Sequence, residues 1–166
     1  ASTISIFRIG ETGALAQSTS SVDVTVGTPL EVKVDTTGEL AWVSIENSGS
    51  LQSYAIDAMT GTLTTLPETV NGIAPTSMAL HPTDQFVYVT DDIAEKVSIF
   101  DVDRETAELT LISEVPTGDN PEDIVFDPSG SYAYVLNRGS NDVSMFKVDT
   151  NTGVLTEIGA IRTRGT

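Results

Sequence analysis

Short apolar segments separated by turn residues dominate the chain, and they predict strands rather than helices. The ranges 132–136 and 143–148 are rich in β-branched and aromatic residues, and the polar range 137–142 separates them. Turn residues precede the first range at 128–130 and follow the second at 149–153. Runs of this kind, bounded by Gly, Pro, Asn and Asp, are strand and hairpin signals. No segment has a convincing apolar stripe with a 3.6-residue period, so we expect almost no helix.

The strand pattern repeats every 46 residues. Five sets of positions keep this spacing across three units: Pro29, Pro75 and Pro121; Asp35, His81 and Asp127; Trp42, Tyr88 and Tyr134; Tyr54, Phe100 and Phe146; and Leu63, Leu109 and Leu155. Four short strands in each repeat of about 45 residues are the signature of a β-propeller blade. A solenoid coil would be shorter, and an immunoglobulin-like sandwich would not repeat internally.

The phase of the repeat predicts how the blades are divided along the chain. We expect one all-β domain over 1–166, an arc of four-stranded antiparallel blades with a half blade at 1–28 and whole blades at 29–74, 75–120 and 121–166. Propellers have about 4–8 blades, and closing the ring removes the open edges. The arc therefore requires the remaining part of a ring, or another chain, for closure. Alone it should associate through its apolar blade faces.

Composition and charge mainly exclude functions. The net charge of −16 would repel a phosphate backbone, so we expect no nucleic-acid partner. Cysteine is absent and His81 is the only histidine, so we predict no metal site and no cofactor. No apolar run reaches the ~18 residues of a transmembrane helix. The acidic, Thr-rich, Cys-free composition favours a periplasmic, extracellular or cell-envelope location over the cytoplasm, and no signal peptide begins the sequence.

Several residues that suggest chemistry have a structural interpretation. His81 occupies the repeat position of Asp35 and Asp127, just before a turn, where a side-chain hydrogen bond to the turn suits either residue type. Asp57, Asp103 and Asp149 recur between the third and fourth strands, where an Asx turn explains them. A calcium loop would need more acidic ligands. The recurring aromatic residues Trp42, Tyr88 and Tyr134 are expected in the core between blades.

Candidate functional residues lie in the loops that vary between repeats. Loops that join the second strand to the third, and the fourth to the next first strand, gather on one face of a propeller around its channel. Variable loops on a rigid scaffold are the usual place for binding sites. We predict a small-molecule ligand or a protein partner at this loop face. The predicted ligand-binding residues are Glu31, Asn47, Asp91, Lys96, Asn137 and Arg138, and Glu31, Ser77 and Asp123 should surround the channel mouth.

Three stretches of the sequence resemble a known family. They are HPTDQFVYVTDD, VPTGDNPEDIVF and DPSGSYAYVLNRGSNDVSMFKVDTNTGVL. These motifs are similar to those of the lactonase-type seven-bladed β-propellers, which include the propeller form of 6-phosphogluconolactonase, and to the wider group of propellers named for a Tyr-Val-Thr-Asn repeat. The resemblance covers essentially the whole chain and implies a seven-bladed ring, of which this chain would form about half.

The resemblance leaves two classes of function open. One is hydrolysis of a sugar lactone at the channel mouth. In that case a carboxylate such as Asp123, Asp91 or Glu31 would activate water, and Arg138 or a backbone N–H group would stabilise the oxyanion. Lys96, Arg138, Arg162 and Arg164 are the cations available for a substrate phosphate. The alternative is a non-catalytic, exported or envelope-associated propeller that binds a protein or a small molecule. No Gly-x-Ser-x-Gly motif or metal constellation decides between the two.

Overall fold

The computed structural model describes residues 2–9, 12–24 and 27–163, and these ranges form antiparallel strands joined by turns. The first pair is β1 (Ser2–Ile9) and β2 (Leu15–Val24). The other strands are β3 (Pro29–Val34), β4 (Leu40–Ile45), β5 (Ser50–Ile56), β6 (Leu63–Asn71), β7 (Pro75–Leu80), β8 (Phe86–Asp91), β9 (Lys96–Val102), β10 (Leu109–Pro116), β11 (Pro121–Phe126), β12 (Tyr132–Asn137), β13 (Asp142–Val148) and β14 (Leu155–Arg162). Arg164 lies outside the described residues.

The strands form three four-stranded sheets and one two-stranded sheet. Each larger sheet is a meander in chain order: β3 to β6, β7 to β10, and β11 to β14. Strands β1 and β2 pair separately, and Ile4 and Val22 pack against the outer part of the β3–β6 sheet. The predicted all-β arc of propeller blades is confirmed. Within the described residues, no helix is long and apolar enough to span a membrane.

The repeat also fixes where the backbone turns. At three positions of the repeat the backbone has a positive φ in every unit, and only some units place glycine there. These sets are Gly38, Asp84 and Gly130; Gly49, Glu95 and Asn141; and Gly61, Ala107 and Gly153. A positive φ costs a residue with a Cβ about 1 kcal/mol or more. The non-glycine members Asp84, Glu95, Ala107 and Asn141 thus keep the turn geometry of the glycines at the equivalent positions.

Aromatic side chains join neighbouring sheets. The Trp42 indole N–H donates to the carbonyl of Ala107 at 3.3 Å, and Ser53 Oγ donates to the same oxygen at 2.9 Å. One repeat later, the Tyr88 hydroxyl donates to the carbonyl of Gly153 at 2.6 Å. Each acceptor lies in the turn between the third and fourth strands of the next blade. Trp42 and Tyr88 are fully buried, as predicted for the core between blades.

The last sheet has an exposed apolar face, and here the expectation for Tyr134 is not met. Tyr134 is 37% exposed, whereas Tyr88, at the same repeat position, is 0% exposed. Tyr132 and Leu136 on the same strand are also exposed. The physical reason is that, among the described residues, no sheet packs over this side of β11–β14. Side chains Leu30, Val32 and Val34 of β3 are exposed for a similar reason, since β1 and β2 cover only the outer part of that sheet.

Candidate functional site

Two kinds of loop meet at one end of the sheets. Because consecutive strands run antiparallel, the loops 46–49, 92–95 and 138–141 lie at the same end as the connections 72–74 and 117–120. The hairpin turns that begin at Asp35, His81 and Asp127 lie at the other end. We call the first end the loop face and the second the turn face. The innermost strands β3, β7 and β11 begin at the loop face.

Three side chains from the innermost strands meet just below the loop face. Ser77 Oγ lies 3.0 Å from Asp123 Oδ1 and 3.3 Å from Glu31 Oε2. Its single hydroxyl proton can be donated to only one of these carboxylates at a time. Glu31 also accepts the Met78 backbone N–H at 2.6 Å and pairs with Lys33 Nζ at 2.6 Å. Glu31, Ser77 and Asp123, which the sequence places around a channel mouth, thus lie together at the loop-face ends of the innermost strands.

A pocket of about 520 Å³ lies at the loop face, and its lining includes the sequence neighbours of this group, Leu30, Thr76 and Glu122. Two positions of the repeat supply most of the residues that line the pocket. One is the residue after the second strand, and the other is the residue after the proline that begins the first strand. The first position gives Glu46 and Asp92, and the second gives Leu30, Thr76 and Glu122; Ala74, Pro75 and Ile93 complete the wall. We call this cavity the mouth pocket.

Three of the predicted ligand-binding residues hold the loops in shape. The buried Asp91 carboxylate accepts the backbone N–H groups of Ala74 at 3.1 Å and Ala94 at 2.8 Å. Asn137, at the same repeat position, is fully buried and accepts a hydrogen bond from Thr117 Oγ1 at 2.8 Å. The exposed Asn47 donates to Thr28 Oγ1 at 3.0 Å. The bonds to Ala74, Thr117 and Thr28 tie each loop to the connection that precedes its blade, whereas the bond to Ala94 closes the loop itself.

The two candidate cations differ in position. Arg138 follows β12, its side chain is 70% exposed, and it pairs with Glu122 at 2.6 Å at the rim of the mouth pocket. Lys96 begins β9 and pairs with Glu114 of β10 at 2.6 Å. Lys96 lines a separate groove of about 340 Å³ between the outer strands of two blades. Of the described residues, Arg138 is thus the guanidinium placed to reach a ligand in the mouth pocket.

His81 has a structural role at the turn face, as predicted. The backbone N–H of Thr83 donates to His81 Nδ1 at 3.2 Å, which leaves Nε2 as the protonated nitrogen. Nε2 then donates to the carbonyl of Gly130 in the next blade at 3.0 Å. The ring packs edge-on against Phe86 and Phe126. His81 therefore joins two blades and lies far from the mouth pocket along the strands.

The recurring aspartates of the turn face cap their turns. Asp103 accepts the backbone N–H groups of Glu105 at 2.8 Å and Thr106 at 3.1 Å, and these bonds lower its pKa. Asp149 has the same arrangement with Asn151 and Thr152, and its pKa is lowered for the same reason. Each carboxylate thus accepts N–H groups of the turn that it begins. This geometry confirms the Asx-turn interpretation.

The chemistry available at the mouth is that of carboxylates. Glu46, Asp92 and Glu122 line the pocket, and the exposed Asp123 lies next to Glu122 on β11. A carboxylate can take a proton from water, and backbone N–H groups or a guanidinium can stabilise an oxyanion. Within the described part of the chain, no cluster of three or more acidic or histidine side chains is placed to hold a metal ion.

The sequence placed Glu46 and Asp92 in the variable loops without selecting them as site residues, and it missed Thr76 and Glu122. The signal was present, because these residues occupy two repeat positions whose chemistry changes from blade to blade. A register shift between Pro121 and Asp123 explains why Glu122 was missed. Similar shifts follow Pro29 and Pro75. The residue after each proline is an extra residue in the strand pairing, and it lines the pocket instead of continuing the strand alternation.

Comparison with known proteins places this geometry in a family. The family model described as lactonase, seven-bladed β-propeller matches residues 1–80 and again 62–165. No curated protein matches the chain significantly. The chain is similar in structure to a candidate 6-phosphogluconolactonase from Bacteroides fragilis, with a TM-score of 0.85 and 23% identity over 96% of this chain and 49% of that one.

Two further solved structures show the same likeness. A protein from Lactobacillus plantarum has a TM-score of 0.89 and 23% identity, over 97% of this chain and 49% of that one. The periplasmic gluconolactonase of Pseudomonas aeruginosa has a TM-score of 0.84 and 18% identity, over 96% of this chain and 48% of that one. The chain thus spans about half the length of these proteins. Its repeat, its blades and the match to the family model together show that it belongs to the lactonase family of seven-bladed β-propellers.

Proposed function

We propose that this chain forms part of a lactone hydrolase whose substrate binds in the mouth pocket. The observation that carries the proposal is the position of the pocket. A cavity of about 520 Å³ lies at the loop face of a lactonase-family propeller, beside the exposed carboxylate of Asp123. A concave site with a few convergent polar groups is the usual form of a small-molecule site. The likeness to the Bacteroides fragilis and Pseudomonas aeruginosa proteins supports lactones as the substrate class.

In this proposal Asp123 is the general base. Asp123 Oδ1 accepts the Ile124 backbone N–H at 2.9 Å and lies 3.0 Å from Ser77 Oγ, so the carboxylate has a fixed orientation. It takes a proton from a water molecule as the water oxygen attacks the lactone carbonyl. The ester C–O bond of the tetrahedral intermediate then breaks, and the ring oxygen leaves as a hydroxyl after accepting that proton from Asp123. Arg138 at the rim donates Nη1–H to Glu122 and stabilises the oxyanion through its remaining N–H groups.

The test is hydrolysis in the ring-closed protein, meaning a longer natural polypeptide that contains this sequence or the complex that closes the ring. Asp123→Asn should lower kcat by about 100-fold or more, the usual contribution of a general base, without changing the thermal midpoint. Asp101→Asn removes the same charge from an exposed position of β9 and should leave kcat unchanged. Equal activity of Asp123→Asn and the unsubstituted protein would refute the assignment of the base.

The alternative function is binding without catalysis. Three of the predicted functional residues already have partners in the structure. Asp91 and Asn137 make loop contacts, and Arg138 pairs with Glu122. This favours binding without catalysis. The two functions differ in one result. A non-catalytic propeller would retain a ligand at the mouth pocket and hydrolyse no lactone of a broad panel. A hydrolase would release the corresponding hydroxy acid.

A further inference from the structure

The charged groups at the mouth pocket indicate which kind of lactone it accepts. This inference rests on the proposed function. Glu46, Asp92 and Glu122 place three carboxylates on the pocket wall. Asp123 and Glu31 add two more just below it, and Lys33 compensates Glu31. At the rim, Arg138 is the one guanidinium that the described residues supply, and Glu122 pairs with it at 2.6 Å. The pocket is therefore negative, and its nearest positive charge is already neutralised.

A phosphate group requires the opposite arrangement. Proteins bind phosphate through several arginine or lysine side chains, or through free backbone N–H groups at a helix N-terminus. Among the described residues, the mouth pocket has no such set of arginine or lysine side chains. In the loop 92–95 the backbone N–H groups of Ile93 and Ala94 are already donated to Asp91. In the other two loops the N–H of Gly49 is donated to the Glu46 carbonyl and that of Gly139 to the Asp119 carbonyl. The same side chains suit hydroxyl groups, because a carboxylate accepts hydrogen bonds from sugar hydroxyls.

We propose that Glu46, Asp92 and Glu122 are specificity-determining residues that exclude phosphorylated lactones, so that the substrate is an uncharged lactone of a polyhydroxylated acid. Glu122 has two effects. It repels an anionic group directly, and it neutralises the charge of Arg138, the guanidinium at the pocket rim. Asp92 and Glu46 act by repulsion alone. The apolar wall formed by Leu30, Pro75 and Ile93 gives a surface for the carbon face of the ring.

The experiment compares two substrates in the ring-closed protein: glucono-1,5-lactone and its 6-phosphate. We expect kcat/KM to favour the uncharged lactone. Asp92→Asn should shift the ratio of the two kcat/KM values toward the phosphorylated lactone by about threefold at low salt, the size expected for a solvent-exposed charge pair with a dianion. Glu122→Gln should shift it by roughly tenfold, because it also frees Arg138. Both shifts should shrink at 1 M salt, where the screening length is about 3 Å.

The control removes a carboxylate from the turn face. Glu105→Gln changes the net charge by the same amount at an exposed turn position and should leave the ratio unchanged. Thermal melting of each variant checks that the fold is retained. Preference for the phosphorylated lactone, with a ratio that Glu122→Gln does not alter, would overturn the inference and leave the hydrolase proposal standing. Hydrolysis of neither lactone would remove the hydrolase proposal and this inference with it.

Discussion

At the scale of single residues, the left-handed turn positions differ in what surrounds them. Gly49 has φ +59°, and a Cβ built there would lie 2.4 Å from the carbonyl oxygen of Ile73. Gly38 has φ +74°, but a Cβ there would meet nothing within 4 Å. The two glycines therefore separate the cost of backbone conformation from the cost of a steric clash. Gly49 also positions the loop beside Glu46 at the mouth pocket.

Gly49→Ala should destabilise the protein much more than Gly38→Ala. For Gly38→Ala we expect a loss of about 1 kcal/mol in the free energy of unfolding, from the left-handed conformation alone. Gly49→Ala should lose at least about 1 kcal/mol more, because the Ile73 backbone must move. Denaturant titration of the two variants measures the difference. Equal losses would show that the loop at Gly49 yields without cost.

The capped aspartates predict a specific pH dependence. The folded-state pKa of Asp103 and that of Asp149 lie below the ordinary value of 3.8 because backbone N–H groups donate to each carboxylate. A lowered folded-state pKa contributes stability that is present above the ordinary value and is lost as the pH falls through the folded-state value. We therefore expect the thermal midpoint to fall as the pH drops below 3.8.

Substituting both aspartates by asparagine isolates this contribution. Asparagine still accepts the turn N–H groups, but it does not titrate. The Asp103→Asn/Asp149→Asn variant should lose less stability than the unsubstituted protein below pH 3.8. Asp101→Asn on β9 serves as the control for a lost charge outside these turns. Parallel pH profiles for the double variant and the unsubstituted protein would contradict the prediction.

At the scale of the elements, ionic contacts at the turn face join the first two whole blades. Arg104, in the turn before β10, reaches Asp35 at 2.9 Å and Asp84 at 3.4 Å. Asp84 also accepts the backbone N–H of Thr36 at 2.9 Å. Burial opposes ionisation of Asp35, but hydrogen bonds from Thr37, Leu40 and Glu39 and the Arg104 charge outweigh it and lower its pKa. One guanidinium thus compensates two buried carboxylates.

Removing that guanidinium should loosen the contact between these blades. We expect Arg104→Ala to lower the free energy of unfolding by about 2 kcal/mol, since it leaves two buried carboxylates without a cation. Arg138→Ala breaks a largely exposed pair and should cost less than about 1 kcal/mol. Adding Asp84→Gly to Arg104→Ala should restore part of the loss, because glycine occupies the equivalent positions Gly38 and Gly130. Calorimetry of the three variants measures whether their losses in the free energy of unfolding follow this order.

The elements were largely predictable from sequence, whereas the contacts between them were not. The repeat positioned His81 with Asp35 and Asp127 and so predicted its role in the turn. The bond from His81 to Gly130 depends on the angle between two blades, which no sequence period encodes. Arg104 has no counterpart in the other repeats, where Ala58 and Thr150 occupy its position. The mouth pocket depends on the register shifts after the prolines, which alternation of apolar residues does not indicate.

At the scale of the whole molecule, one face of β11–β14 is exposed and apolar, and we propose that a further blade covers it. Its side chains Val125, Tyr132, Tyr134 and Leu136 are exposed, whereas Ala79, Phe86, Tyr88 and Thr90 at the same repeat positions are buried. The acceptors of Trp42 and Tyr88 both lie 65 residues further along the chain, in the next blade. We expect the Tyr134 hydroxyl to donate to the corresponding turn of a blade that covers this face.

The chain of 166 residues studied alone should associate through this face. Sedimentation velocity should show a weight-average mass that rises with concentration, because exposed apolar patches of this kind bind one another. Val125→Lys/Leu136→Lys should shift the distribution toward the monomer. Met59→Lys, at an exposed turn position, should leave it unchanged. A concentration-independent monomer for the unsubstituted chain would show that the face needs no cover.

A crystal structure of the ring-closed protein with a bound ligand would show whether a lactone binds at the loop face of the propeller. The ligand should be a lactam analogue of a sugar lactone, which resists hydrolysis. We expect electron density for the analogue in the mouth pocket, with its carbonyl near Asp123 and its hydroxyl groups hydrogen-bonded to Asp92 or Glu122. Density at the turn face, against His81 and Asp127, would contradict it.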